Sequence, residues 1–587
     1  MISAKEMLKK EISKTSFKRT FIFALIFGAL IGVTQIAGYQ LKLNEMTDPG
    51  IRGKALLILK GCLLSVLFLP VTYLLFRVLD IGSMNEPAQE STSGSGKSSA
   101  LRSALRNGLR PGKKTGRVFF ISWIVIWLSW LPAFLAYYPA ILSYDFHRQF
   151  GEAVKGYIWF FEYQPLIHTF LIRMFWLLGV KLGDVAVGMA IFAIVQGLLL
   201  SSSISAGISY VYKKSGILPA VIWILLFAFL PFNPILAISM TKDILFSTFF
   251  AFIILIIIRM EDKMPVPLCA AFVLIGILNI LFRNNAAYAL IFLIPAFLIG
   301  KKGIKKGLLS AILALVMVVG GLGCKTLIRE TMNAIPGSET EKYSVPIMQM
   351  VRVIKYQAGN LTPEQEEVIH RYIDEVTWGE YYAPIADSAK SNVSAYRGTE
   401  WTEGGSRLIK DYLTIGLAYP NDYLDAFLAL TAGYWSFFDV THAEMLGFGD
   451  DSNLGLLYTF NASVNEVYPE GIISYSYLPA VKAWYAHTVN GNSYYDWPVV
   501  SLLMKPAFYF WLFVYICMAA LYKKSRKSIP VLVYPLFYLM TMFLGPCVNF
   551  RYMYPFIVVL PVLASFVLSE RIGTRNDVKR EKRTDTK

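Results

Sequence analysis

Long apolar runs separated by short polar breaks fill most of this chain. Twelve of them, 20–41, 56–79, 118–138, 185–209, 215–233, 241–260, 266–282, 285–300, 305–323, 503–522, 529–546 and 552–570, approach or exceed the roughly 20 residues that carry an α-helix across a bilayer. They predict an all-α polytopic membrane protein with about 12 transmembrane helices. A thirteenth stretch, 163–182 (YQPLIHTFLIRMFWLLGVKL), is also apolar enough to span. Were it to cross, every later basic loop would change sides, so it is expected to lie as an amphipathic helix in the outer interface, with Arg173 and His168 toward water. Between residues 325 and 500 the apolar runs give way to helical periodicity, as in 362–376, with its Thr-x-x-Glu-like start, and 421–435. A mixed, mainly helical extracytoplasmic domain is expected there.

Charge sets the orientation. Only 16% of the 587 residues are charged, well below the roughly 25% of soluble domains. Residues 330–495 hold 21 Asp and Glu against 9 Lys and Arg, inside a chain whose net charge is +16. The basic excess lies in the N-terminal tail, in the Ser/Gly-rich segment that follows the second run, in short loops such as Lys301–Lys306 and Lys523–Lys527, and in the C-terminal tail. Basic residues that flank apolar runs follow the positive-inside pattern. They are not gathered on one folded surface, which excludes a nucleic-acid binder. The expected organisation is a two-helix membrane hairpin (1–80), a basic cytoplasmic linker (81–117), a membrane core (118–324) with a first outer loop (139–184), an acidic extracytoplasmic domain (325–500), C-terminal transmembrane helices (501–570) and a basic cytoplasmic tail (571–587). Both termini then face the cytoplasm across the cell membrane. The first apolar run has no small-residue cleavage site after it and is expected to stay as an anchor. The five cysteines lie in or at the ends of apolar segments, which leaves no disulfide framework.

Polar residues concentrate at one level of the membrane. Asp145, His147 and Gln149 follow the third run, and Glu162 and Gln164 precede 166–182. Lys242 and Asp243 open the sixth run, Arg283 and Asn284 with Asn285 separate the seventh from the eighth, and Arg551 and Tyr552 open the last. Ionisable groups at membrane depth are costly unless they pair or serve a site. Each has a plainer reading as well. Arg283 and Arg551 could snorkel, Lys242 and Asp243 could form a local salt bridge, and Asp145 could cap a helix. All five histidines (His147, His168, His370, His442, His487) map to the outer side without the spacing of a zinc site. Asn-x-Ser/Thr triplets at Asn360, Asn392 and Asn461 carry no inference alone.

The strings YYPAILSYDFHRQ and FEYQPLIHTFLIRMFWLLG resemble the first outer loop of membrane glycosyltransferases of the GT-C class, which place an acid after the first core helix and then a His-Pro-Pro-Leu-like segment. TKDILF, FRNN and NFRYMYPF resemble further pieces of that class, so the resemblance spans roughly 118–300 and 500–570. The chain departs from the pattern at Gln164, where His is usual, and at Phe146, where a second acid or a small polar residue often follows. The resemblance implies a GT-C-like core that transfers a sugar from a polyprenyl-phosphate-linked donor in the membrane lipid to a glycan, lipid or protein acceptor of the cell envelope on the outer face of the membrane. Asp145 would then be the general base, with Glu162 as second choice. Lys242, Arg283 and Arg551 would hold the phosphate, while Asp243, Asn284, Tyr552, His147, Gln149 and Gln164 would line the substrate site. No protein-held metal is implied; a divalent cation is compatible with the chemistry but not required. A transporter or flippase of a lipid-linked or anionic substrate, or a related polysaccharide polymerase or ligase, would share the cationic groove.

Overall fold

The computed structural model describes residues 4–44, 50–84, 114–142, 144–155, 160–301, 303–337, 340–372, 384–387, 389, 405–438, 472–490 and 496–570. Most of the basic linker, the C-terminal tail, His442, Asn392, Asn461 and much of the acidic segment lie outside these residues. The described chain is helical, and only isolated β-bridges join its extended segments.

Among the described residues, eight helices are long and apolar enough to cross a membrane: α1 (Ala4–Asn44), α2 (Gly50–Met84), α3 (Thr115–Ala136), α6 (Val185–Ser215), α9 (Lys242–Asp262), α13 (Ile304–Thr331), α20 (Pro506–Lys523) and α22 (Phe550–Ser569). The expected run 215–233 is instead a bent pair, α7 (Ile217–Phe229) and α8 (Phe232–Ile238), with a 63° angle at Leu230-Pro231. Three further apolar helical stretches are shorter: α10 (Val266–Phe282), α11 with α12 (Ala286–Leu290 and Leu293–Gly300), and α21 (Ser528–Phe543). Each expected run therefore falls on apolar helix, but only eight satisfy the length and hydropathy of a straight span.

α9 is the hub of the bundle. Its most apolar window is 83% buried, against 22% for α2 at the periphery. It packs on α6, α10 and α22, and its apolar run Ile253–Ile258 is buried. The α1–α2 hairpin closes through Gly32 and Gly61, where a Cβ on Gly61 would meet the backbone of Val33. Small residues allow this approach without an internal hydrophobic driving force. The hairpin attaches to α20 through Thr20 Oγ1, 2.8 Å from the Tyr522 hydroxyl, and through Arg19 over the Tyr522 ring.

Two helices that follow α3 in the chain carry the first polar segments: α4 (Tyr144–Lys155) and α5 (Leu166–Leu182). α5 starts after Pro165 and ends at Gly183, whose φ of +82° favours glycine. Asp184 then caps α6 by accepting a hydrogen bond from Ala186 N at 2.8 Å. α5 packs on α6 where Gly188 approaches the Phe175 carbonyl and Gly179. His168 corrects the sequence expectation: it is fully buried between α4 and α6 rather than turned to water, while Arg173 is half-buried and donates to Ala153 O at 2.6 Å. An apolar stripe alone could not reveal the polar partner that α4 brings to His168. Because a side chain at Gly188 would force these helices apart, Gly188→Val is expected to destabilise the protein by about 1–3 kcal/mol. An earlier onset of aggregation on heating in detergent would show it; an unchanged onset would mean the crossing is loosely packed.

The acidic segment builds its own small core from α14 (Thr340–Gln357), α15 (Pro363–His370), α16 (Gly405–Ala418) and α17 (Pro420–Trp435), around Ile347, Val351, Ile369 and Leu408. Thr362 and Gln365 form the capping box that starts α15. α17 coincides with the periodic stretch 421–435. It docks on α1 and α20, and Trp435 O accepts hydrogen bonds from Gln35 Nε2 and Trp511 Nε1, both at 2.8 Å.

Candidate functional site: a buried ion network at four helix ends

An extended residue sets the register of the site. Ile141 N donates to Ile238 O at 3.1 Å, and Met240 N donates to Ile141 O at 2.9 Å. This bridge ties the segment before α4 to the turn before α9, so the first turns of both helices face each other. Asp145 lies in the first turn of α4 and Lys242 opens α9, with Lys242 Nζ 3.2 Å from Asp145 Oδ2. Lys242 Nζ also donates to Gln164 Oε1 from the turn before α5. Arg551, in the first turn of α22, places one terminal guanidinium nitrogen 3.0 Å from Asp145 Oδ2 and its Nε 3.3 Å from Asp243 Oδ2. Arg283, at the C-terminal end of α10, donates to Asp243 Oδ1, and its Nε donates to Asn285 Oδ1 at 3.1 Å. The Tyr552 ring lies beneath both guanidinium groups, 4.4 Å from Arg283 and 5.5 Å from Arg551.

Lys242 and Asp243 thus do not pair with each other. They face different partners, because successive residues on a helix point about 100° apart. Snorkelling is likewise not what the arginines do: their side chains are 7% and 11% exposed and point inward. The network holds three cations, Lys242, Arg283 and Arg551, against two carboxylates, Asp145 and Asp243, which leaves one positive charge in excess. Buried charge is costly unless compensated, and Nη1 of Arg551 has no hydrogen-bond partner. Burial alone would raise the Asp145 carboxyl, but the nearby Lys242 and Arg551 outweigh it and hold the group below the usual carboxylate range. It is ionised and, in this state, a weak base.

Gln149 and His168 brace the network from behind. Gln149 Nε2 donates to Thr169 Oγ1 at 3.0 Å, so its Oε1 accepts from His168 Nδ1 at 2.8 Å. Burial, reinforced by Lys242, pushes the His168 imidazole down to about 3. The ring is therefore neutral, with its proton on Nδ1.

Three expected site residues stand elsewhere. Glu162 is 3.1 Å from Lys325 Nζ and 3.7 Å from Arg329, both on α13. With Lys325 and Asn284 it lines a separate small cavity, whose other walls include Pro165 and Leu281. Asn284 therefore does not join the ion network; its neighbour Asn285 does, donating as well to Thr541 Oγ1 at 2.8 Å. His147 is half-buried beside Phe146 and belongs to none of the described ion pairs of the network. The Arg-Asn-Asn triplet pointed to this corner of the fold, but only the backbone turn after α10 decides which amide faces Arg283. Among the described residues, no three His, Cys, Asp or Glu side chains stand together as metal ligands.

These features define an all-α polytopic membrane protein with a charged network buried at one end of its bundle. The chain belongs to a family whose model matches residues 159–583 and is described as a family of unknown function, DUF6020. The matched region contains Gln164, Lys242, Asp243, Arg283 and Arg551, while Asp145 precedes it. No curated protein and no solved structure matches the chain.

Proposed function

We propose that this protein is a GT-C-type glycosyltransferase that moves a sugar from a polyprenyl-phosphate carrier to a cell-envelope acceptor at the outer face of the cell membrane. The observation that carries this reading is the excess positive charge of the buried network, with Arg551 Nη1 unpartnered beside it, because such a site calls for an anion. In the free protein Asp145 occupies Lys242 and Arg551. A donor phosphate takes over those contacts, and Asp145 is released as a stronger base. The acceptor hydroxyl oxygen then bonds to the anomeric carbon and its proton passes to Asp145. The bond from the anomeric carbon to the phosphate oxygen breaks, and its electron pair leaves on the polyprenyl phosphate, whose charge the fixed cations stabilise.

In this reading the bent pair and the three shorter apolar stretches join the eight long helices as twelve spans, with both termini in the cytoplasm and α5 in the outer interface. External cysteine labelling is expected to reach positions 340–372 and to fail at 97–113; labelling of the latter would sink the topology. The 63° break between α7 and α8 favours a second reading, since broken helices line many transporter sites. Opposing it, charged groups at the far end of the bundle are paired within the protein: Lys301 lies 2.8 Å from Glu261, and Lys523 donates to Leu568 O and Glu570 O at 2.7 Å. The decisive experiment is mass spectrometry of cell-envelope glycans with and without the gene, complemented by wild-type and Asp145→Asn protein. Loss of one sugar modification, restored only by the wild type, is the expected result. An unchanged glycan profile, with a lipid-linked sugar accumulating on one leaflet, would favour the flippase.

A further inference from the structure

Behind the ion network, where α7 breaks into α8, lies a cavity of about 220 Å³ whose walls are almost wholly apolar. α7 contributes Trp223 and Leu226, the break contributes Leu230, and Phe508 and Leu512 of α20 face Ile557 of α22 across it. An apolar cavity of roughly 150 Å³ already stays dry and takes up a small hydrocarbon. Polar atoms at its edge are used within the protein: Asn233 Nδ2 donates to Leu226 O at 3.1 Å, Asn233 Oδ1 accepts from the Tyr554 hydroxyl at 3.1 Å, and the Tyr509 hydroxyl donates to Leu503 O at 2.6 Å. Around the cavity the outer surface is apolar too, with Leu225 50% and Phe229 69% exposed, so its neighbourhood is lipid-facing.

α22 runs from the charged site at Arg551 to the cavity wall at Ile557. Phe550 and Ile557 are seven residues apart and share one face of that helix, about 10 Å apart along its axis. Phe550 packs on Phe232 at 4.8 Å and immediately precedes Arg551. A cationic site with one charge in excess and an apolar chamber two turns below it complement an anionic amphiphile, head at Arg551 and chain below. Resting on the glycosyltransferase reading, we infer that this cavity seats the phosphate-proximal isoprene units of the polyprenyl carrier, which enters sideways from the membrane between the α7–α8 break and α20. Its walls run along two turns of α7, from Trp223 to Leu230, and from Leu503 to Leu512, about 10 Å of chamber for the first methyl-branched units of the carrier.

The test uses a diazirine-tagged farnesyl phosphate on the full-length protein in lipid nanodiscs, with adducts mapped by peptide mass spectrometry and competed with unlabelled farnesyl phosphate. Competed adducts on the peptides holding Trp223–Leu230 and Phe508–Leu512 are expected. Leu512→Trp, which fills the chamber from its half-buried rim, should reduce them on the order of 10-fold, since excluding two methylenes alone is worth about that much. Competed adducts on another face of the bundle would overturn the cavity assignment and leave the phosphate site intact. Competition by dodecyl phosphate as effective as by farnesyl phosphate would overturn the isoprenoid assignment. No competed adduct anywhere would overturn the assignment together with the donor reading on which it rests.

Discussion

Arg551→Ala is expected to reduce sugar transfer by about 10²–10³-fold, the usual loss when a preorganised group that stabilises a leaving oxyanion is removed. The structure makes the effect larger than a single lost contact. Among the described residues Arg551 alone touches both carboxylates, at 3.0 Å and 3.3 Å, so its removal unlinks Asp145 from Asp243 and leaves two cations against two acids. The excess charge that draws a phosphate is then gone. Breaking a buried pair can also cost about 3–5 kcal/mol of stability, so the assay belongs on protein that elutes as a monodisperse species. Arg551→Lys is the sharper variant. A lysine keeps the net charge but cannot reach two acids at once, so it should retain the fold and recover only part of the activity. Full activity in Arg551→Lys would mean that charge alone matters, and full activity in Arg551→Ala would remove the phosphate role.

Asp145→Asn should lower turnover by about 10²–10⁴-fold, the range that general-base catalysis contributes. Its effect on donor binding should run the other way. With the carboxylate gone, Lys242 and Arg551 no longer have to leave a partner, and a polyprenyl phosphate should bind at least as tightly as to the wild type. A fall in both kcat and the donor KM is what removal of an unfavourable ground-state contact produces, here the carboxylate that competes with the phosphate. Asp145→Glu should also be poor, because a shift of about an ångström costs on the order of 10²-fold. If Asp145→Asn turned over normally while Glu162→Gln did not, the base would move to Glu162 and the Lys325 cavity would become the reacting centre. Normal turnover in both variants would favour the transporter.

How legible this protein was in its sequence differs between its parts. The apolar runs fixed which segments become helices, because a run of that length and composition has few other ways to satisfy its backbone in lipid. They did not fix which helices stay straight: Pro231 interrupts the run 215–233, and the run 285–300 divides into α11 and α12. Asp145, Lys242, Arg283 and Arg551 were recognisable as a group, since charges at apolar run ends are rare enough to stand out. Glu162 and Asn284 were grouped with them for the same reason, and the fold turned both toward α13. His168 looked like the wet side of an interfacial helix until Gln149 arrived from α4 to bury it.

Sequence by itself determined the helical, membrane-spanning character of the chain, the partition of its charge and the set of residues that could carry chemistry. Those properties are set by composition and by neighbours one to four residues away along the chain. Only the tertiary structure decided which charges share partners, that Asn285 rather than Asn284 supports Arg283, and that an apolar chamber adjoins the cationic site. Each of these depends on side chains up to several hundred residues apart, as Asp145 and Arg551 are, whose relative rotation is fixed by packing around α9 and by the bridge at Ile141.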